Sequence, residues 1–142
     1  MKIAAVDFGD ARTGLAICDK QEMLASPAGV IQEKNFERTV TKVADALREL
    51  APELVVVGHP INMNGTIGDR ARHCEDFAHQ LEATLGTIPV VLWDERSTTV
   101  SAIGYLNATD TRGKKRKAVI DTVAATIILE NYLNYRKNHR EE

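Results

Sequence analysis

Three acidic residues together occupy positions that favour chemistry over simple solvation. Asp7 ends an apolar run near the start of the chain, and Glu95 follows the apolar run of residues 88–93. Asp121 lies in a segment that is apolar nearly all round and is therefore expected to be mostly buried. A buried carboxylate without a partner carries a penalty of several kcal/mol. Either Lys117, four residues earlier, or a bound metal ion would offset that penalty.

The chemistry that such a cluster suits is metal-dependent cleavage of phosphodiesters. Carboxylate oxygens are ligands that Mg²⁺ and Mn²⁺ prefer, and two such ions about 3.5–4 Å apart activate water and stabilise a leaving oxygen. Charges are also common at solvated strand ends, so neither Asp7 nor Glu95 alone would indicate a site. The histidines are scattered and the two cysteines form no metal-like pair, so no zinc site is predicted.

The strands that would position these carboxylates are indicated by short aliphatic runs. The first two runs flank Gly9 and Asp10, which are turn formers, and therefore predict a hairpin. The fourth run is continuously apolar, as expected for a strand buried on both faces of a parallel sheet. Together, the runs predict five strands, at residues 2–8, 13–19, 28–32, 53–58 and 88–93.

Helices are predicted where apolar residues recur at helical spacing. The first spans residues 36–50 with Asn35 as its N-cap, and the second spans about 69–85 with Gly86 just after its end. A third helix begins within residues 97–106, and a long, strongly apolar helix spans about 117–135.

This order of elements predicts one α/β domain over residues 1–142. A βββαβαβαα order implies a mixed five-stranded sheet with helices on both faces. Sites in such sheets lie at the carboxyl ends of parallel strands. We therefore expect neighbouring strands to bring Asp7 and Glu95 together.

Two further segments have the composition of phosphate-binding elements. The turn-rich loop of residues 58–66 leads into a helix N-terminus, where backbone N–H groups can hold phosphates, although a plain connecting loop fits it equally well. Residues 112–117, predicted as a loop, hold five basic residues in six and favour substrate binding. Because the net charge is −2, attraction to nucleic acid must come from a local patch of this kind.

The composition also bears on the compartment. The apolar run at the N-terminus is far too short for a signal peptide or a membrane span. Cys18 and Cys74 are predicted to be small, apolar packing residues in a reduced, cytoplasmic setting.

Four motifs in this order resemble the YqgF/RuvX family. They are VDFGDARTGLA, VVGHPINMNGT, DERSTT and KRKAVIDTVAATIILENYL, and the resemblance covers essentially the whole chain. It implies a ribonuclease H-like fold and a cytoplasmic nuclease that processes the 5′ end of pre-16S ribosomal RNA. Family members were earlier proposed as Holliday junction resolvases because they are similar to RuvC.

The resemblance assigns the catalytic and metal-binding roles to Asp7, Glu95 and Asp121, with two Mg²⁺ or Mn²⁺ ions. The choice of Glu95 over Asp94 rests on the family motif, because strand alternation only predicts that the two point to opposite sides. The chain departs from the family pattern at two positions, with His59 where an aliphatic residue is usual and Asp10 where threonine is common.

Nucleic-acid contacts are predicted from the basic family positions, the polar loops and the basic stretch. Arg96 would face a phosphate or orient a carboxylate. The full set is Arg12, Asn62, Asn64, Arg96, Thr98, Thr99, Arg112, Lys114, Lys115, Arg116 and Lys117.

The expected partner is structured RNA, with ribosomal precursor particles as its context, and no membrane. The protein would be a monomer or a homodimer. One alternative is a resolvase acting on four-way DNA, and another is a non-catalytic nucleic-acid adaptor. The segment DFGDARTG also resembles a phosphate loop of the actin and sugar-kinase superfamily. ATP binding is disfavoured because those proteins use two lobes and this chain supplies one.

Overall fold

The structure is a computed structural model that describes residues 1–97 and 113–139, except for the side chains of residues 97 and 113–122. Its strands are β1 (Ile3–Asp7), β2 (Arg12–Cys18), β3 (Ala25–Gln32), β4 (Leu54–His59) and β5 (Val90–Asp94). Its helices are α1 (Phe36–Leu50), α2 (Asp69–Leu85) and α3 (Gly113–His139), and a single 3₁₀ turn (Glu95–Ser97) follows β5.

The five strands form one mixed sheet in the order β3-β2-β1-β4-β5. The pairs β1–β2 and β2–β3 are antiparallel, whereas β1–β4 and β4–β5 are parallel. The predicted mixed sheet is therefore confirmed. Strand β3 begins three residues earlier than expected and contains Pro27, which is tolerated because β3 lies at the edge of the sheet.

The order of strands corrects one expectation. The strands that carry Asp7 and Glu95 were predicted to be neighbours, but β4 lies between β1 and β5. β4 pairs in parallel with both β1 and β5, and its side chains are buried on both faces, as its continuous run of apolar residues predicts.

Helices cover both faces of the sheet, as predicted. Alternate residues of β1 supply the two cores, with Ala4 and Val6 packing on the side of α1 and α2, and Ile3 and Ala5 on the side of α3. Asp7 continues this alternation and therefore belongs to the α3 side.

Helices α1 and α2 have the predicted bounds. The side chain of Asn35 accepts a hydrogen bond from the backbone N–H of Arg38 at 2.9 Å, which confirms it as the N-cap. Gly86 ends α2 with a φ of 81°, a conformation that favours glycine.

Helix α3 is longer than predicted at both ends. It begins at Gly113, so the prediction of a loop over the basic stretch is wrong for residues 113–117. Lysine and arginine are good helix formers because their straight side chains lose little freedom in a helix. Arg112 and the helix predicted to begin within 97–106 lie outside the described residues, apart from residue 97. No helix in the described part of the chain is long and apolar enough to cross a membrane.

Candidate active site

Glycine at position 58 allows two carboxylates to approach each other across the intervening strand. In the parallel register of β1 and β4, Val6 faces Val57, so the next positions, Asp7 and Gly58, are also side by side. A Cβ placed on Gly58 would lie 3.1 Å from the carboxyl carbon of Glu95 and 3.1 Å from its Oε2. The carboxylate of Glu95 therefore occupies the space above Gly58, about one strand spacing (~4.8 Å) from β1.

The buried thiol of Cys74 in α2 lies near several acidic groups. Burial raises the pKa of this thiol to about 12, against an opposing effect of Arg70. The charges of Glu95, Asp7 and Asp10 raise it further. The three carboxylates therefore lie within electrostatic range of one point in the fold.

Glu95 is a partly desolvated carboxylate. Burial raises its pKa above the ordinary value, and Asp94 adds to this effect. Arg70 and His59 act in the opposite direction without cancelling the rise. An additional cation would stabilise the ionised form of this carboxylate, because the positive charges nearby do not fully offset the cost of its burial.

Arg70 is a functional candidate that the sequence analysis missed. It lies in the first turn of α2, and its Nη2 donates a hydrogen bond to the backbone carbonyl of Phe8 at 3.1 Å. Its charge also favours the ionised form of Glu95. The signal in the sequence was its place at the start of a helix that follows a parallel strand.

Asp94 and Glu95 have different surroundings. The carboxylate of Asp94 accepts hydrogen bonds from Arg96, with Nη2 to Oδ2 at 2.7 Å and Nε to Oδ2 at 3.0 Å. This pairing lowers the pKa of Asp94. In this structure Arg96 thus orients the carboxylate of Asp94, and its Nη1 lies 3.6 Å from the position of a Cβ on Gly65.

The loop between β4 and α2 is closed by its own polar side chains. Asn62 Nδ2 donates to Thr66 Oγ1 at 2.9 Å, and Thr66 Oγ1 donates to Asn64 Oδ1 at 2.7 Å. Gly65 adopts a φ of 87°, which favours glycine. Asn62 and Asn64 therefore shape the loop, and their predicted contacts with nucleic acid remain a prediction.

His59, one of the two departures from the family pattern, ends β4. Its Nε2 lies 2.9 Å from Glu75 Oε2 in α2, and its side chain is 12% exposed. This pair joins the end of the strand to the helix on the α2 side of the sheet.

The turn between β1 and β2 is tight. A Cβ on Gly9 would overlap the carbonyl oxygen of Arg12, so only glycine fits there. Arg12 begins β2 beside this turn, and Asp10 is exposed at its tip.

The middle of helix α3 packs against the candidate site. The Cδ1 atom of Ile128 contacts the α3 side of Gly58, whereas Arg136 binds Glu22 beyond the other end of the sheet, with Nε to Oε1 at 2.7 Å. Asp121 lies two helical turns (~10 Å) before Ile128. The N-terminal part of α3, with residue 121 and the basic residues 114–117, therefore extends from Ile128 in the direction away from Glu22.

Of the three residues predicted as metal ligands, Asp7 and Glu95 have described side chains, and their role as ligands stays a prediction. Within residues 1–97 and the described side chains of α3, no group of three histidine, cysteine or acidic residues could hold a metal ion. The side chain of Asp121 and residues Thr98, Thr99 and Arg112 lie outside the described part. The donors that are present, carboxylate oxygens with one of them desolvated, suit Mg²⁺ or Mn²⁺.

Comparison with known proteins gives a family match over most of the chain. Residues 1–135 match a family model described as "RuvX: Holliday junction resolvase". A protein of Halothermothrix orenii is 44% identical over 136 residues, covering 96% of each chain. One of Caldanaerobacter subterraneus is 41% identical over 139 residues, covering 97% of this chain and 99% of the relative. Both relatives carry the name "Putative pre-16S rRNA nuclease".

Solved structures share the fold at low identity. RuvC of Thermus thermophilus superimposes with a TM-score of 0.60 at 16% identity, over 97% of each chain. The same protein in complex with a Holliday junction gives a TM-score of 0.63 at 15% identity, over 98% of this chain and 97% of that one. The fowlpox virus Holliday junction resolvase gives a TM-score of 0.56 at 14% identity, over 95% of this chain and 99% of that one. These likenesses confirm the predicted fold class.

Proposed function

Because the chain belongs to the RuvX family, we propose that it is a metal-dependent endonuclease that acts in processing the 5′ end of pre-16S ribosomal RNA. The observation that carries this proposal is the carboxylate of Glu95 lying over Gly58, beside Asp7. A desolvated carboxylate at the carboxyl ends of two parallel strands lowers the stability of the fold, and a hydrolytic site would account for its presence there.

In this proposal Asp7, Glu95 and Asp121 hold one or two Mg²⁺ or Mn²⁺ ions. Such ions, when bound, supply the activation of a water molecule and the charge that a leaving oxygen requires. Asp7 and Glu95 would hold them from neighbouring positions on the α3 side of the sheet. The N-terminal half of α3 would bring Asp121 to them from above.

The basic groups would bind and orient the phosphate backbone. Arg70 is held by the carbonyl of Phe8 and lies within electrostatic range of Glu95, so it suits a phosphate next to the cut. Arg96 is engaged with Asp94 and is proposed to support the loop at Gly65. The basic residues of α3 would extend the same surface along the RNA.

The proposed substrate is RNA, in the cytoplasm. The names of the relatives support RNA as the substrate, and the two buried, free cysteines agree with a reducing compartment. The polar groups of the β4–α2 loop suit contact with a 2′-hydroxyl, which distinguishes RNA from DNA. Only 5% of the residues are aromatic, so recognition would depend mainly on backbone shape and charge.

The direct test offers purified protein a precursor rRNA and a four-way DNA junction side by side, with Mn²⁺ or Mg²⁺. We expect the RNA to be cut and the junction to be bound weakly at most. Replacing the 2′-hydroxyls that flank the cut with hydrogen should slow cleavage. Symmetrical resolution of the junction at a comparable rate would replace the RNA proposal with the resolvase alternative.

The ligand set is tested by three isosteric variants. Each should abolish cleavage while the fold persists, because each removes a charge without changing the shape of the side chain. Thermal melts in chelator check the fold, and a large loss of stability on changing Asp121 would assign it to a structural ion pair instead. The variants are Asp7→Asn, Glu95→Gln and Asp121→Asn.

A further inference from the structure

A cleft of about 700 Å³ opens beside the candidate active site, on the face of the sheet covered by α1 and α2. Its lining includes Phe8 and the next two residues, Gly9 and Asp10 of the β1–β2 turn, so it begins at the residue after Asp7. Its volume lies within the range of small-molecule sites. The cleft and the carboxylate site therefore share one wall, with Phe8 facing the cleft and Asp7 facing the other side of the sheet.

Aromatic rings form part of the lining. Phe36, at the start of α1, is partly exposed and packs edge-to-face against Phe8, with their ring centroids 5.9 Å apart. Phe8 is stacked in turn on the buried Phe77, with centroids 4.4 Å apart. Phe36 is thus held by a row of packed rings, which suits stacking of a flat ring from a ligand.

The opposite wall is a polar stripe along α2. His73, Asp76, His79 and Gln80 line it, and all four are exposed. Within the described part of the chain, their side chains form no hydrogen bond or ion pair with the protein. Their donors and acceptors are therefore available to a ligand.

The charge of the cleft disfavours a phosphate group inside it. Two carboxylates, Asp10 and Asp76, face one ammonium group, that of Lys34. Carboxylates accept hydrogen bonds from the exocyclic amino groups of bases, and a glutamine side chain pairs with adenine through two hydrogen bonds. The phosphate of such a ligand would remain outside, towards Arg70, which lies one helical turn before His73.

We propose that this cleft binds an unpaired adenine base, stacked on Phe36 and hydrogen-bonded to the polar stripe of α2. The base would come either from the strand that is cut, close to the scissile phosphate, or from a free nucleotide. The first source rests on the proposed nuclease function, whereas the second does not.

Binding in chelator tests the proposal without cleavage. The wild-type protein is titrated with a short single-stranded RNA in which an abasic residue replaces each adenosine in turn, followed by fluorescence anisotropy. At one position the abasic substitution should weaken binding about tenfold, which is the effect of losing one stacked base. Purine riboside at that position, which lacks the amino group, should reproduce part of the loss. A parallel titration with adenosine monophosphate, followed by NMR of the protein, tests the free nucleotide.

Phe36→Ala and Gln80→Ala should each remove the dependence on the base. Thr84→Ala, an exposed change one turn further along α2 and outside the cleft, should preserve it. Gln80 is exposed, so its variant keeps the test valid even where Phe36→Ala lowers stability. The proposal is overturned if neither RNA nor the monophosphate shows base-dependent binding, or if both cleft variants behave as the wild type. A protein that cuts no RNA but binds the monophosphate in the cleft would refute the nuclease proposal alone.

Discussion

Replacing Gly58 with alanine should damage activity far more than stability. The new Cβ would lie 2.7 Å from Ile128 Cδ1 and 3.1 Å from the carboxyl carbon and Oε2 of Glu95. Ordinary carbon contacts are about 3.5–4.0 Å, so the end of Ile128 must move by about 1 Å and the carboxylate by about half that distance. The carboxylate would thus leave its position beside Asp7.

The cost in stability should be modest. Overpacking of this kind costs about 1–3 kcal/mol, and removing a glycine from a strand interior offsets about 0.5–1 kcal/mol of it. A net loss near 1 kcal/mol lowers the melting temperature of a domain of this size by about 2–4 °C. Displacement of a catalytic group by up to 1 Å lowers the rate by as much as about a hundredfold, so we expect a ten- to hundredfold loss of cleavage.

Two controls separate these effects. Val57→Ala removes a fully buried side chain from the other face of the same strand, so it should lower stability by about 2 kcal/mol and leave cleavage near the wild-type rate. Adding Ile128→Val to Gly58→Ala deletes the clashing Cδ1 and should restore stability but not activity. Single-turnover cleavage and thermal melts are the measurements. Wild-type cleavage by Gly58→Ala would refute the role of the Glu95 carboxylate at this position.

The remaining predictions concern ions, charge and pH. Mg²⁺ and Mn²⁺ should support cleavage and Ca²⁺ should not, because it prefers more ligands at longer distances; full activity in excess chelator would contradict a metal mechanism. Arg136 lowers the pKa of the nearly buried Glu22 from its ordinary value of 4.5 to about 2, so the stabilisation by this ion pair is complete above pH 4.5 and is lost as the pH falls towards 2. Glu22→Gln should therefore lower the free energy of unfolding at pH 7 by about 2–3 kcal/mol and reduce the fall of that free energy between pH 4.5 and pH 2. Urea titrations across this pH range that show the same fall as the wild type would contradict this. Three to five phosphate contacts predict a slope of about −2 to −4.5 for log K against log salt. That slope should become shallower when Lys114, Lys115 and Lys117 are replaced with alanine. An unchanged slope would assign binding to another surface.

Local spacing was sufficient to predict most elements of this protein. The bounds of α1 and α2 follow from apolar residues at helical spacing and from their end residues, Asn35 and Gly86. Both signals act within a few residues, so they can be read without knowing the fold. The basic stretch was the exception, since charge alone does not distinguish a loop from the first turns of a helix.

Only the tertiary structure decided how the candidate site is assembled. The order of strands places β4 between β1 and β5, and no local pattern specifies that order, because it depends on which faces pack together. The absence of a side chain at Gly58 then becomes important, since it lets Glu95 lie beside Asp7 across the intervening strand. Arg70 is likewise positioned by the tertiary structure, since it donates a hydrogen bond to the carbonyl of Phe8, which is 62 residues away in sequence. The sequence alone thus determined which residues are candidates for the chemistry, whereas the packing of the sheet determined which of the described ones meet.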